Sequence, residues 1–490
     1  MAGAERETDG TVAVWGTFDL ENFGDQLYPR ITENEIVRRL PGWMVRTYSP
    51  FGWERPCRMD GGFVSEPLGV RANGRTAQLA AAADLTLVGG GDLIHFDHET
   101  LAKAYGVDGT TMRRRSPGHW FVEGLGPELE RRSPVVWNAV GVPGDPAQEH
   151  AELIQRALGR RRYVAVRDHA SAQRLRACGV QQDIEVVPDI GFLLHRLIRN
   201  ETLKSRVDYF RFMGWYPANR PALIVQGNRA AIPLAKEIAK VVRWAVEEQH
   251  IRAEVVLLEA GPCHGDGEFA DVLAGHIAPQ RIYRLPASLP PEDVLAAVYG
   301  ATGTIATSYH VTIAAAMFGR RWAVLDPATG SVGTSKLRSL AELLERPEQC
   351  ATNVGELAEA IRIAFPQRPD PKQYLKLLVG VDRHFDMVAE AAERAWRANG
   401  GSSEHRWAAV RAENVALRAA YRASRLRLAT ERRRLIDFSL QPGVTRGGPA
   451  ADLAKLREDS AELNRLMQTK LVRWSRPVRM IYSKLTGRQL

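Results

Sequence analysis

Cysteine is scarce in this chain. Only Cys57, Cys178, Cys263 and Cys350 occur in 490 residues, and no two stand in a C-x-x-C spacing. That excludes a zinc ribbon or a disulfide scaffold and fits a reducing compartment. No apolar run approaches the roughly 18 residues of a membrane span. The first ten residues, MAGAERETDG, have no apolar core. We therefore expect no secretory signal and a cytoplasmic protein. Neither G-x-G-x-x-G at a strand end nor G-x-x-x-x-G-K-[ST] is found, so the usual phosphate-cradling signatures are missing. No cluster of metal-ligand residues stands out, so no metal and no cofactor are expected.

Charge is also missing where it would matter for nucleic acid. The net charge is +9, but residues 401–490 carry 19 Lys and Arg against 8 Asp and Glu, while the preceding 400 carry 47 against 49. A nearly neutral body argues against a nucleic-acid-binding core. The basic tail suggests an acidic partner, such as an anionic membrane surface.

What is present is alternation. TVAVWG, ADLTLVGGGD, PVVWNAVGV, YVAVRD and DIEVVPD read as short buried strands, with helical segments such as ENEIVRRL, HAELIQRAL and ASAQRLRACG between several of them. A second set follows YPANRP: ALIVQGN, RAEVVLLEAGP, TGTIATSYH and RRWAVLD as strands, with IPLAKEIAKVVRWAVEEQ, PEDVLAAVYGA and VTIAAAMFG as helices. This pattern predicts parallel sheets covered by helices. The expected fold is α/β, with two Rossmann-like domains facing a cleft in a GT-B-like arrangement and an α-helical C-terminal extension. We place an N-terminal domain at 11–198, a second at 220–345, a helical return segment at 346–398 and a basic helical tail at 400–490. Residues 104–134 read as a long irregular insertion, whose Arg113, Arg114 and Arg115 suit an anionic acceptor or a solvated loop equally.

The tail divides in two. Val410, Leu417, Tyr421, Leu428 and Leu435 fall near a heptad seam shared by polar Asn414, Ser424 and Glu431, a pattern of a helical hairpin or weak coiled coil. The last segment, KLVRWSRPVRMIYSKL, interleaves basic residues with Trp474, Val478, Ile481 and Tyr482. Two readings stay open: contact with the inner membrane surface, or docking on the body or on a second copy.

Ligands of open α/β sheets bind outside the carboxyl ends of the strands. Four such ends carry polar residues. WGTFDLENFGDQLYP offers Asn22 and Asp25; Asp25 can cap the helix that follows or bond a sugar hydroxyl. LVGGGDLIH offers Gly90 and Gly91, which let a ligand or a neighbouring backbone approach closely, then Asp92 and His95. YVAVRD places Arg167 and Asp168 at the cleft mouth, where Arg167 can grip a carboxylate or phosphate. ATSYHVTIAAAMFG places Ser308 and His310 at a helix start. Lys336, in GSVGTSKLRSL, is a further candidate anion contact.

Taken in order, NFGD, GGGD, VRD…S…L…GV…VPD and SYH…A…G resemble the polysaccharide pyruvyl transferase family over roughly residues 12 to 345. The resemblance implies a GT-B-like fold and transfer of pyruvate from phosphoenolpyruvate to a sugar, forming a ketal and releasing phosphate, with residues 11–198 as the acceptor side and 220–345 as the donor side. The acceptor would be a sugar or lipid-linked glycan of the cell envelope. The family's histidine maps onto His310, the implied general acid, and its strand-end arginine onto Arg167. Members often carry Arg two residues before the histidine; here that position is Ser308, which removes one expected anion clamp. Arg229, after VQGN, is a candidate replacement. Ser308 also keeps open a non-catalytic member acting in glycan assembly. The other alternative is a nucleotide-sugar GT-B glycosyltransferase. Such enzymes often hold the donor ribose with Glu five residues before a helix-ending glycine, and counting back from Gly319 reaches Ala314.

Overall fold

The computed structural model describes residues 10–400 apart from 56, 60, 62, 64, 72–78, 81, 123–132, 159–162, 248–250, 279–281, 328–334 and 367–368. The β-branched run Thr11–Trp15 forms strand β1, buried at every position. It is followed by β2 (Met44–Ser49), β3 (Glu66–Pro67), β4 (Leu85–Asp92), β5 (Val135–Gly141), β6 (Val164–Val166) and β7 (Ile184–Val186). Their order in the first sheet is β3-β2-β1-β4-β5-β6-β7, every pairing parallel. The central strands are apolar on both faces because helices cover both sides.

The second sheet contains β8 (Ala222–Val225), β9 (Glu254–Leu257), β10 (Ile282–Arg284), β11 (Gly303–Ala306), β12 (Arg321–Leu325) and β13 (Cys350–Ala351). Its order is β10-β9-β8-β11-β12-β13, again parallel throughout. Each lobe winds outward from its first strand and then reverses. The reversal opens a crevice at the carboxyl ends of β1 and β4 in one lobe, and of β8 and β11 in the other. Such switch points are where α/β sheets bind ligands. The chain is GT-B-like: two Rossmann-like lobes in one molecule.

Three features differ from the pattern read in the sequence. Strand β2 escapes notice because Arg46 lies in mid-strand; Arg46 is buried and forks onto Glu66 of β3 at 2.9 and 2.7 Å. Residues 98–122, expected to be irregular from 104 onward, carry helices His98–Tyr105, Gly109–Arg115 and Pro117–Val122. Arg115 is tied to the Pro50 carbonyl and to Glu54, both at 2.7 Å, whereas Arg113 and Arg114 are exposed. Finally, helix Asn200–Phe212 packs on helix Pro291–Gly300 of the second lobe, pinned by Arg206 to Asp293.

After helix Val354–Ala364 the chain returns to the first lobe as helix Leu375–Ala398. Asp382 receives Arg196 at 2.7 Å and Arg39 at 3.0 Å. Deeper, a neutral chain of hydrogen bonds runs through it. The Tyr163 hydroxyl donates to His384 Nδ1 (2.7 Å), His384 Nε2 donates to Asn138 Oδ1 (2.8 Å), and Asn138 Nδ2 donates to Thr32 Oγ1 (3.1 Å). Burial keeps this imidazole neutral and pushes its pKa down to about 3. Among the described residues, no helix is long and apolar enough to cross a membrane. The tail at 401–490 lies outside the described residues.

Replacing His384 with Ala strands the buried Asn138 and the partly buried Tyr163 and opens a cavity. We expect a loss of about 3 kcal/mol in urea unfolding, whereas exposed Arg394→Ala changes stability by less than about 0.5 kcal/mol.

Candidate active site

The two switch points meet. The loop after β1 touches the loop after β9, with Phe23 N–H on the Ala260 carbonyl at 2.7 Å and Cys263 N–H on the Glu21 carbonyl at 3.4 Å. Helix Phe23–Arg39 starts here, capped by Asn22, whose Oδ1 accepts from Gly24 N–H at 2.8 Å. Across from it, β11 ends and helix Tyr309–Met317 begins, with Ser308 as its cap. Ser308 Oγ accepts from Val311 N–H at 3.4 Å, and its carbonyl accepts from Thr312 Oγ1 at 2.9 Å. Asn22 and Ser308 thus spend their side chains on helix ends.

His310 stands in the first turn of the second helix, its side chain 12% exposed. Its Nε2 lies 2.7 Å from the Tyr28 hydroxyl, which donates to Asp189 Oδ2 at 2.8 Å. Burial alone would raise the Asp189 pKa, but His310 and Arg167 outweigh it and hold the carboxylate ionised. Because Tyr28 gives its only proton to Asp189, His310 Nε2 must donate to Tyr28. Nδ1 is then the nitrogen free to exchange a proton. It lies against Gly24, where an added Cβ would collide with it. Tyr28 in turn needs space, and the glycines supply it. A Cβ on Gly90 (φ +42°) would strike the Tyr28 ring, and one on Gly91 (φ +89°) would come within 3.0 Å of its other edge. Gly90 and Gly91 therefore accommodate a tyrosine of the protein itself.

Arg167 is buried, its side chain 3% exposed. Nη2 pairs with Asp92, Nε with Asp168 at 3.2 Å, and Nη1 lies 3.8 Å from Asp189. Its guanidinium also rests over the Tyr309 ring, 4.9 Å from the centroid. The grip on carboxylates expected of this arginine is exerted on the protein's own. Lys336, 52% exposed, reaches Asp92 Oδ2 at 3.0 Å and so bridges the lobes. Burial would raise Asp92, but Arg167 and Lys336 hold its pKa well below the ordinary carboxylate range.

Asp25 sits in the first turn of helix Phe23–Arg39. The Thr17 hydroxyl donates to its Oδ1 at 2.5 Å. Burial pushes its pKa up to about 6, against the pull of Thr17 and His310. Arg229 is farther out, exposed and 3.6 Å from Glu268. It lies against Gly265, next to His264, whose pKa burial lowers to about 4. Beneath that loop, Asp266 Oδ2 accepts from Gln226 Nε2 (2.8 Å), Ala260 N–H (2.9 Å) and Gly261 N–H (2.8 Å). Burial raises its pKa to about 7. Among the described residues no group of three His, Cys, Asp or Glu is placed to hold a metal.

A sequence profile of the polysaccharide pyruvyl transferase family matches residues 15–329, well over half of the chain. The chain belongs to that family. No curated protein matches the sequence. Among solved structures, UDP-GlcNAc 2-epimerase from Methanocaldococcus jannaschii is similar at 13% identity and TM-score 0.43, covering 75% of this chain and 99% of its own. The Neisseria meningitidis UDP-GlcNAc 2-epimerase bound to UDP-GlcNAc gives 13% and 0.44 over 78% and 98%. A Thermobaculum terrenum O-GlcNAc transferase mutant gives 14% and 0.35 over 82% and 68%. Likeness this distant says nothing about substrate, and the two-lobed fold rests on the sheets described above.

In this pyruvyl transferase family member, the structure gathers His310, Arg167, Asp92, Lys336 and Asp25 at one crevice and leaves Arg229 at its outer edge. Sequence reasoning missed Tyr28 and Asp189 as site residues. Both lay inside quoted blocks, NFGDQLYP and VVPD. A tyrosine one turn past the helix start and an aspartate just past a strand end were the available signals. Ala314 is buried in the helix interior and offers no acceptor for a ribose.

Asp266 makes a measurable signature. Its pKa is raised on folding, so the stability it confers is full below about pH 4 and lost as pH rises through about 7, on the order of 3 kcal/mol. In Asp266→Asn the oxygen still accepts the same donors but nothing titrates. Urea unfolding at pH 4.5, 6 and 8 should show the variant gaining on wild type by that amount.

Proposed function

We propose that the protein transfers pyruvate from phosphoenolpyruvate to a sugar of a cell-surface glycan, forming a ketal. The observation that carries this reading is His310. A buried, ionised Asp189 orients it through Tyr28, leaving Nδ1 facing the Gly24 turn where the two lobes meet, in a side chain that is 12% exposed. Ketal formation from an enol ester begins with a proton delivered to carbon. That requires an acid whose proton is held in one place and whose ordinary pKa lies near neutrality.

Supporting groups are of the right kind. The donor carries a carboxylate and a phosphate. The amino end of helix Tyr309–Met317 favours an anion. Lys336, half-exposed, reaches Asp92 at His310's crevice, whereas Arg229 is exposed beside Glu268. Arg167 acts in this reading as a positioning residue, since three carboxylates already claim its guanidinium. Ser308, where many relatives have arginine, caps the helix, so Lys336 takes on more of the donor's charge. Protonated at C3 by His310, the donor develops positive charge at C2. One acceptor hydroxyl captures it and a second displaces phosphate.

The test is phosphate release from phosphoenolpyruvate in the presence of methyl hexopyranosides with free 4,6-hydroxyls. Wild type should release phosphate. His310→Ala should lose about a thousandfold in kcat, and Tyr28→Phe about tenfold or more, because proton transfer by a positioned side chain contributes about 10²–10⁴-fold. Turnover in His310→Ala equal to wild type would sink the reading. A thermal shift with UDP-sugars and none with phosphoenolpyruvate would favour the glycosyltransferase alternative.

A further inference from the structure

We propose that Asp25 is the base that takes the proton from the attacking acceptor hydroxyl, so that one crevice holds the acid and the base on two facing helix starts. This rests on the pyruvyl-transfer reading above.

The argument begins with how the site's carboxylates are neutralised. Asp92 is held by Arg167 and by Lys336. Asp168 is held by Arg167. Asp189 faces Arg167 and His310 and accepts from Tyr28 and from Gly191 N–H. Asp25 differs. Its one hydrogen bond among the described residues comes from a neutral hydroxyl, Thr17, to Oδ1. Oδ2 has none. No cationic side chain is within salt-bridge distance of it among the described residues. A carboxylate left without a cation in a half-buried place is costly, and such groups concentrate where a proton must be moved.

Position supports the same conclusion. Asp25 directly follows Gly24, the residue against which His310 Nδ1 rests. It is partly exposed at the cleft, and it is not the helix cap, because Asn22 fills that place. The charged or titratable groups acting on it are His310, Asp92 and Lys336; Tyr105 and Cys263 also feel its charge. Burial raises its pKa to about 6, into the range where a carboxylate is a useful base yet still ionised at neutral pH.

The proton balance closes. His310 gives its Nδ1 proton to C3 as the donor's C2–C3 double bond supplies the electron pair. The first hydroxyl oxygen bonds to C2 and its proton moves to Asp25. The second hydroxyl oxygen then bonds to C2, the C2–O(phosphate) bond breaks, and phosphate leaves as hydrogen phosphate carrying the second hydroxyl's proton. The proton on Asp25 passes to neutral His310, which restores both groups.

The experiment uses the same phosphate-release assay with the full chain, wild type, Asp25→Asn, Asp25→Ala and His310→Ala, with and without added formate. We expect Asp25→Asn to lose about a hundredfold in kcat while the KM for phosphoenolpyruvate stays within about threefold. Formate, a small external base, should restore Asp25→Ala and not His310→Ala. In wild type, kcat should fall as pH drops through about 6. At pH 8 the Tm of Asp25→Asn should equal or exceed that of wild type, because the substitution removes a poorly solvated charge. A residue that merely supports the fold would lower it. More than a tenth of wild-type kcat in Asp25→Asn overturns the assignment, as does failure of formate to rescue Asp25→Ala. If wild type releases no phosphate with any methyl hexopyranoside, the transfer reading falls and this assignment falls with it.

Discussion

Asp189 has no exposed surface, yet it is ionised, and much of the crevice is arranged around that charge. A bare carboxylate in such a place would be costly by several kcal/mol. Here the cost is met by the Tyr28 hydroxyl at 2.8 Å, the Gly191 N–H at 2.7 Å, and two facing cations or cation-formers, Arg167 at 3.8 Å and His310 at 3.7 Å. These partners come from three parts of the first lobe and one of the second. The charge therefore does three things together. It sets the direction of the Tyr28 proton, it fixes which imidazole nitrogen is free, and it anchors the amino end of helix Tyr309–Met317 across the cleft.

Arg167 extends this arrangement sideways. By pairing with Asp92 and Asp168 as well, it neutralises a cluster that would otherwise repel itself and any anionic donor. Lys336 completes the cluster from the second lobe. The outcome is a sorting of carboxylates by environment, three held by cations and Asp25 held by a hydroxyl. Separating groups in this way is how one site can provide both an acid and a base near neutral pH.

Some of this was legible in the sequence, and the reasons differ by element. Strands β1, β4 and β5 announce themselves as apolar runs broken by glycine. His310 does so through its place between β11 and a helix of small residues. The glycines of GGGD were read as room for a ligand or a backbone, whereas the group packed against them is the Tyr28 side chain, some 60 residues upstream. Only the folded sheet brings it there. Arg167 looked like a hand held out to substrate because a sequence does not reveal which carboxylates will converge on a guanidinium. Strand β2 was hidden by Arg46, whose partner Glu66 stands on the neighbouring strand. In each case the missing fact was a tertiary neighbour.

The returning helix Leu375–Ala398 makes the second lobe an insertion within the first. Asn138 and Tyr163 find their imidazole only in a segment translated after that whole insertion. At about 5–20 residues per second of synthesis, the stretch from 200 to 398 takes roughly 10–40 s to emerge. During that interval the nascent first lobe presents an uncovered groove with unfulfilled polar groups. The ribosome thus delivers an incomplete first lobe, and helix Leu375–Ala398 acts as the closing piece for a lobe whose first strand begins at residue 11.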